Sequence, residues 1–193
     1  MMAMRVLFKM TIPILLFLGG LIWVVPRFIE PTPVGAAVAP SPTEHSAPVV
    51  QVYGANVWGV RGRYAMHTWI ATKAQGAATY TIYQVIGWQL RRYGSVVSIS
   101  RGQPDKPWFG SAPVLLLDRR GDAADGLIDR IDAAARSYPF AREYTMWPGP
   151  NSNSFTAWVG LQVPELAMNL PFKAIGKNWM EANYETALGT GSD

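Results

Sequence analysis

His67 and the run Trp147-Pro-Gly-Pro-Asn-Ser-Asn-Ser-Phe155 hold the residues best suited to chemistry in this chain. The run sets small polar side chains where a turn passes into an apolar helix. A helix start offers unpaired backbone N–H groups and a partial positive charge, so a nucleophile or an anion is stabilised there. With His67 as general base, Ser152 or Ser154 would complete a Ser–His site acting on amide or ester bonds. The alternative is purely structural: Ser and Asn are favoured helix N-caps, and Pro-Gly-Pro makes a stiff entry turn. On that alternative His67, on a strand beside Trp69, is a hydrogen-bonded core residue. The other histidine, His45, sits in a Pro-rich stretch and reads as a solvated linker residue.

Composition removes several other chemistries. The chain has no cysteine, which excludes thiol nucleophiles, disulfides, Cys-ligated zinc and iron–sulfur clusters. Two histidines make a poor ligand set, so no metal is expected, and no glycine motif implies a nucleotide or other cofactor. Net charge is +4, of which Arg5 and Lys9 supply two, leaving +2 for the remainder. The remaining basic residues, including Arg91-Arg92 and Arg119-Arg120, form no stripe interleaved with aromatics, so no nucleic acid partner is expected. Arg120-Gly121-Asp122 spells an adhesion tripeptide, but a turn into a helix explains it. Hydrophobic residues make up 49% and aromatics 12%, enough for one packed domain.

Placement comes from the N-terminus. Met10 to Val25 carries no charge and, extended back through Val6-Leu7-Phe8, approaches the ~20 residues that span a bilayer. Arg5 and Lys9 precede the run and only Arg27 follows closely, which predicts a cytoplasmic N-terminus. The expectation is a single-pass signal anchor at the inner membrane over residues 1–26, with the rest extracytoplasmic. A cleaved signal peptide is the rival, since Ala37-Val38-Ala39 has the form of a cleavage site, although Pro40 follows it. Residues 27–48, rich in Pro and Ala, predict a semi-extended spacer.

Residues 49–180 predict one α+β domain: an antiparallel sheet with two or three packed helices. Strands are expected at Val49–Tyr53, Tyr64–Lys73, Ala78–Val85, Ser95–Ser100, Pro113–Asp118 and Glu143–Trp147. A two-residue turn at Gln75-Gly76 would set Gln84 opposite His67. Asp122 predicts a helix cap ahead of an apolar face at Leu127, Ile128, Ile131, Ala135 and Tyr138. A second helix is expected to begin at Asn151 or Ser152 and end at Pro164. Residues 181–193 predict a flexible tail. Most of Trp58, Trp88, Trp108 and Trp147 are expected in the core, because aromatic burial dominates domain stability.

A strand His followed by Asn151-Ser152-Asn153-Ser154-Phe155 at a helix start resembles the circularly permuted papain-like hydrolases. These include cell-wall peptidase-like and lecithin–retinol acyltransferase-like proteins, whose motif is Asn-Cys-x-x-Phe. That resemblance implies Ser152 as nucleophile in place of Cys, His67 as base and Gln84 as the polar group orienting it. Asn151, Asn153, Ser154 and Trp147 would then line the substrate site, with amides near Asn153 as oxyanion donors. A Ser hydroxyl is far less acidic than a thiol, so this exchange demands a well-placed base. More narrowly, Val57–Arg63, His67–Ile70, Trp147–Phe155 and Leu170–Trp179 resemble a family of bacterial membrane-associated proteins, domain of unknown function 3750. That resemblance implies no activity. It does imply patterned sequence beyond Trp179, where this chain loses its pattern.

Three functions therefore stand open. The first is a non-catalytic module binding envelope glycan or peptide. The second is a Ser–His hydrolase or acyltransferase, and the third is an assembly protein engaging a partner complex.

Overall fold

The computed structural model describes residues 35–36 and 39–189. The expected anchor and the first part of the expected spacer lie outside them. Among the described residues no helix is long and apolar enough to cross a membrane.

The architecture is α+β. Strands β1 (Gly35–Ala36), β2 (Val49–Asn56), β3 (Met66–Lys73), β4 (Tyr80–Val85), β5 (Val97–Gly102) and β6 (Val114–Arg120) form one sheet. Their order is β1-β6-β2-β3-β4-β5, and each pairing is antiparallel. Helices α1 (Leu90–Tyr93), α2 (Asp122–Arg136), α3 (Ser152–Gln162) and α4 (Lys177–Gly189) complete the described elements, with short 3-10 turns.

Strand alternation divides the core into two layers. Val50, Val52, Met66, Ile70, Tyr83 and Leu117 face the helices and pack with Leu127 and Ile131 of α2, Phe155 and Trp158 of α3, and Met180 of α4. Val49, Tyr53, Ala55, Trp69, Ala71, Tyr80 and Leu115 form a separate cluster with Trp108 on the other side. Each fully buried side chain of this size contributes about 1.5–3 kcal/mol. β3 is central, between β2 and β4, and all eight of its residues are buried.

Several expectations are corrected. Glu143–Trp147 is not a strand, because local turns consume its backbone: Glu143 N–H donates to Phe140 O and Thr145 N–H to Pro150 O. Asp122 does not cap α2. Gly121, at φ 61°, holds the cap position without a side-chain bond, and Asp122 and Asp125 instead place negative charge in the first turn. Residues beyond 180 are not wholly a tail, since α4 runs to Gly189 with Met180 and Ala187 buried. It docks mainly on α3, where Trp158 and Tyr184 rings lie 5.7 Å apart. So few buried positions leave little amphipathic signal to read.

The later part of the expected spacer is also built into the domain. Ala39 N–H donates to Asp105 at 2.8 Å, and the Tyr80 hydroxyl to Pro40 O at 2.9 Å. Gly121 N–H donates to Pro48 O at 2.9 Å. Lys73, buried with its pKa lowered by desolvation, donates to Ala47 O at 2.8 Å and Ser46 O at 3.3 Å.

Candidate functional site

The start of α3 is a closed polar knot. Asn151 is the N-cap, and its side-chain oxygen accepts from the N–H groups of Asn153 at 2.9 Å and Ser154 at 3.2 Å. The Ser154 hydroxyl returns the bond by accepting from Asn151 N–H, and donates to Gly176 O at 2.8 Å. Asn151 Nδ2 donates to Met146 O and Ile175 O, and Asn153 Nδ2 to Met66 O and Ile175 O. The Thr68 hydroxyl lies 2.9 Å from both Asn153 Oδ1 and the Thr156 hydroxyl. Gly176, at φ 107°, has no alternative: a Cβ there would stand 2.4 Å from Asn151 Nδ2. The polar residues that suggested a site thus staple α3 to β3 and to the 175–176 turn. The Ser154 hydroxyl is engaged as donor to Gly176 O and as acceptor from Asn151 N–H.

His67 belongs to the other layer. Met66 and Thr68 point toward α3, so alternation sends His67 and Trp69 to the opposite side of β3. There the imidazole stacks on Trp108, with centroids 3.9 Å apart and planes 8° from parallel, and on Trp69 at 5.6 Å. Nε2 lies 3.0 Å from Gln84 Oε1. An amide oxygen only accepts, so Nε2 carries the proton and Nδ1 keeps its lone pair. Burial lowers the His67 pKa to about 4, against a smaller opposing push from the Gln84 bond, so the ring is neutral at pH 7.

The expected His67–Gln84 contact forms, although the register behind it is corrected. β3 and β4 pair Ile70 with Tyr83 and Thr72 with Thr81, with residues 74–79 connecting them. Continued, that register sets Gln84 across from Trp69 rather than His67. Gln84 reaches His67 on the diagonal, two residues along the same face.

No hydrogen bond joins His67 to Ser152 or Ser154 among the described residues. The structure brings His67 to Gln84 and gathers Asn151, Asn153 and Ser154 with Thr68, but it does not hydrogen-bond the two groups into one centre. Ser152 is buried in the first turn of α3, and its carbonyl accepts from Thr156. Trp147 stands apart from the knot, 74% exposed.

The sequence offers Trp88 and Trp108 as candidate rings of a binding module, but it does not foretell the aromatic layer they build above His67. Trp108 and Ser111 pair as a miniature hairpin whose tip, Phe109-Gly110, has φ of 46° and 81°. Phe109 lies edge-on to Trp108 at 5.2 Å and to Trp88 at 5.7 Å, while Trp88 stacks on Trp108 at 5.9 Å. A bulky residue at positive φ is strained by about 1–3 kcal/mol. Here it is 60% exposed, so burial does not explain why it is held there. The expectation of mostly buried tryptophans is corrected as well: Trp58, Trp88 and Trp147 are all exposed. The one available signal was the pair of bulky aromatics ahead of Gly110 in a turn.

The molecule is therefore a small α+β domain with one face covered by helices and the other carrying stacked aromatics. Residues 47–179 match the family described as a protein of unknown function (DUF3750), and the chain belongs to it. No curated protein and no solved structure matches the chain.

Proposed function

We propose that this chain is a non-catalytic binding domain of the bacterial cell envelope. Its N-terminal signal anchor holds it at the inner membrane, with the domain on the extracytoplasmic side. The ligand is envelope glycan or peptide, taken on the platform formed by Trp88, Trp108 and Phe109. The supporting observation is that platform: three rings in mutual contact, two of them exposed, backed by His67 and held by a strained Phe109. Flat aromatic faces offer rigid apolar area to the C–H faces of a sugar or to a side chain, at little entropic cost. Titration with soluble muropeptides, followed by tryptophan fluorescence, tests it. Wild type should saturate, and Trp88→Ala and Phe109→Ala should each weaken binding at least tenfold, about 1.4 kcal/mol. Equal affinity in all three proteins removes the platform from the function.

A Ser–His hydrolase or acyltransferase of permuted papain-like type is the second reading, and the His67–Gln84 bond favours it. Gln84 fixes the tautomer that leaves Nδ1 able to take a proton, which is the role of an orienting residue. Against it stand the absent Ser152–His67 bond and the stacking of Trp108 over the imidazole. A fluorophosphonate probe that labels wild type but not Ser152→Ala would overturn the binding-only reading.

A further inference from the structure

Three loops meet at the end of the sheet where β2 leaves and β3 begins, and together they form a second surface rich in exposed apolar side chains. Loop 57–65 is tied to its own base by Val57 N–H donating to Ala65 O. It touches loop 144–150 where Arg61 Nη1 lies 3.7 Å from Met146 Sδ. Loop 170–176 joins both: Met66 N–H donates to Lys173 O, Lys173 Nζ reaches Asn56, and Asn151 bridges Met146 O to Ile175 O. On this surface Trp58 is 79% exposed and Val60 83%, with Tyr64, Met146 and Trp147 also exposed.

Charge supplies the second observation. The three loops contain Arg61, Arg63 and Lys173 and no acidic residue. Among the described residues none of these three cations is ion-paired; the ion pairs found are Arg120–Asp118, Arg130–Glu165 and Arg136–Asp132. Large exposed apolar side chains rimmed by cations that lack an acidic partner mark an interaction surface. Trp and Tyr suit the headgroup level of a bilayer, where one end of the ring is apolar and the other wet. Each Lys or Arg beside an anionic leaflet adds about 1 kcal/mol.

We infer that this loop cluster is a membrane-seating surface that rests on the headgroups of an anionic bilayer. Trp58, Val60, Tyr64, Met146 and Trp147 enter the interface, and Arg61, Arg63 and Lys173 contact lipid phosphate. The inference rests in part on the signal-anchor reading, for residues 26–34 between the apolar run and β1 reach at most about 30 Å. A tether that short keeps the domain near the bilayer surface, where a seating face decides its orientation. The glycan or peptide platform borders this cluster, because Gly87, next to Trp88, packs against Tyr144, and seating would fix the direction in which it points.

Because the chain has no cysteine, single cysteines carrying a nitroxide report position directly. The full chain is reconstituted in phosphatidylcholine–phosphatidylglycerol vesicles with the label at Leu16→Cys, Val60→Cys or Gln75→Cys. Gln75 is exposed in the loop after β3, beyond the far end of a strand that rises about 23 Å from Met66 to Lys73. Collision with oxygen should exceed collision with a water-soluble nickel chelate several-fold at Val60, relative to the Gln75 label. Arg61→Glu with Arg63→Glu, or phosphatidylcholine alone, should return the Val60 label toward water. If the Val60 label is as nickel-accessible as the Gln75 label in the anionic vesicles, the seating surface is overturned. Leu16 reads the anchor separately. A lipid-exposed Leu16 with a watery Val60 defeats the seating surface alone, whereas a watery Leu16 with a lipid-exposed Val60 defeats the anchor alone.

Discussion

Thr68 and His67 are neighbours on one strand, yet the two sides of β3 use their polar groups differently. On the helical side, Thr68, Asn151, Asn153, Ser154 and Thr156 bond one another and the backbone. On the other side, His67 has one polar partner among the described residues, Gln84, and is stacked by rings that continue outward to exposed Trp88 and Phe109. A closed network contributes stability and specifies one arrangement. A stack that runs from a buried base to exposed rings leaves contact area for something else. A cluster of polar residues is therefore a weaker sign of function here than exposed aromatics.

That contrast is sharpened by removing parts from each side. The largest effect is expected at the cap. Asn151→Ala removes the side-chain partner of the Asn153 and Ser154 N–H groups and of the Met146 carbonyl, while the Ile175 carbonyl keeps its bond from Asn153 Nδ2. Losing a cap costs up to about 2 kcal/mol and each buried unsatisfied group about 1–3, so a loss near 4 kcal/mol is expected. Urea unfolding at constant m-value measures it, and a loss under about 1 kcal/mol would show that the knot is not what fixes α3.

Next is acid. The His67 pKa falls from 6.5 to about 4 on folding, so the unfolded chain binds more protons between those values. Stability from this group is fully present above pH 6.5 and is lost as pH falls toward 4, by about 3 kcal/mol in all. His67→Gln should flatten the stability profile across that window. An unchanged slope in the variant would place the acid sensitivity elsewhere.

The smallest effect is expected at the rim. Trp88→Ala, at an exposed position, should shift stability by no more than about 0.5 kcal/mol while impairing ligand capture. A large destabilisation would make Trp88 a core residue and weaken the binding reading.

Local signals in the sequence were reliable where a short-range rule sufficed. Asn151 begins α3, as its neighbours imply, because the cap bonds span only three residues. Gln84 meets His67 despite the misjudged turn, because the register was off by two, and a shift of two along a strand keeps the face. A shift of one would have separated them. Failures fell where partners are distant in sequence. The 39–48 segment looked like free linker until Asp105, Tyr80 and Lys73 engaged it, and α4 looked patternless because it buries little beyond Met180 and Ala187.

By itself the sequence determined an antiparallel α+β domain, the helix starting after Asn151, and an apolar N-terminal run ahead of them. These follow from periodicity and from bonds between near neighbours. Only the tertiary structure decided that Thr68 rather than His67 faces α3, that the Asn and Ser side chains are consumed internally, and that Trp58, Trp88 and Trp147 are left exposed. A side chain's exposure depends on whether another element covers its face. The described helices pack on one side of this sheet, a choice that no local spacing encodes.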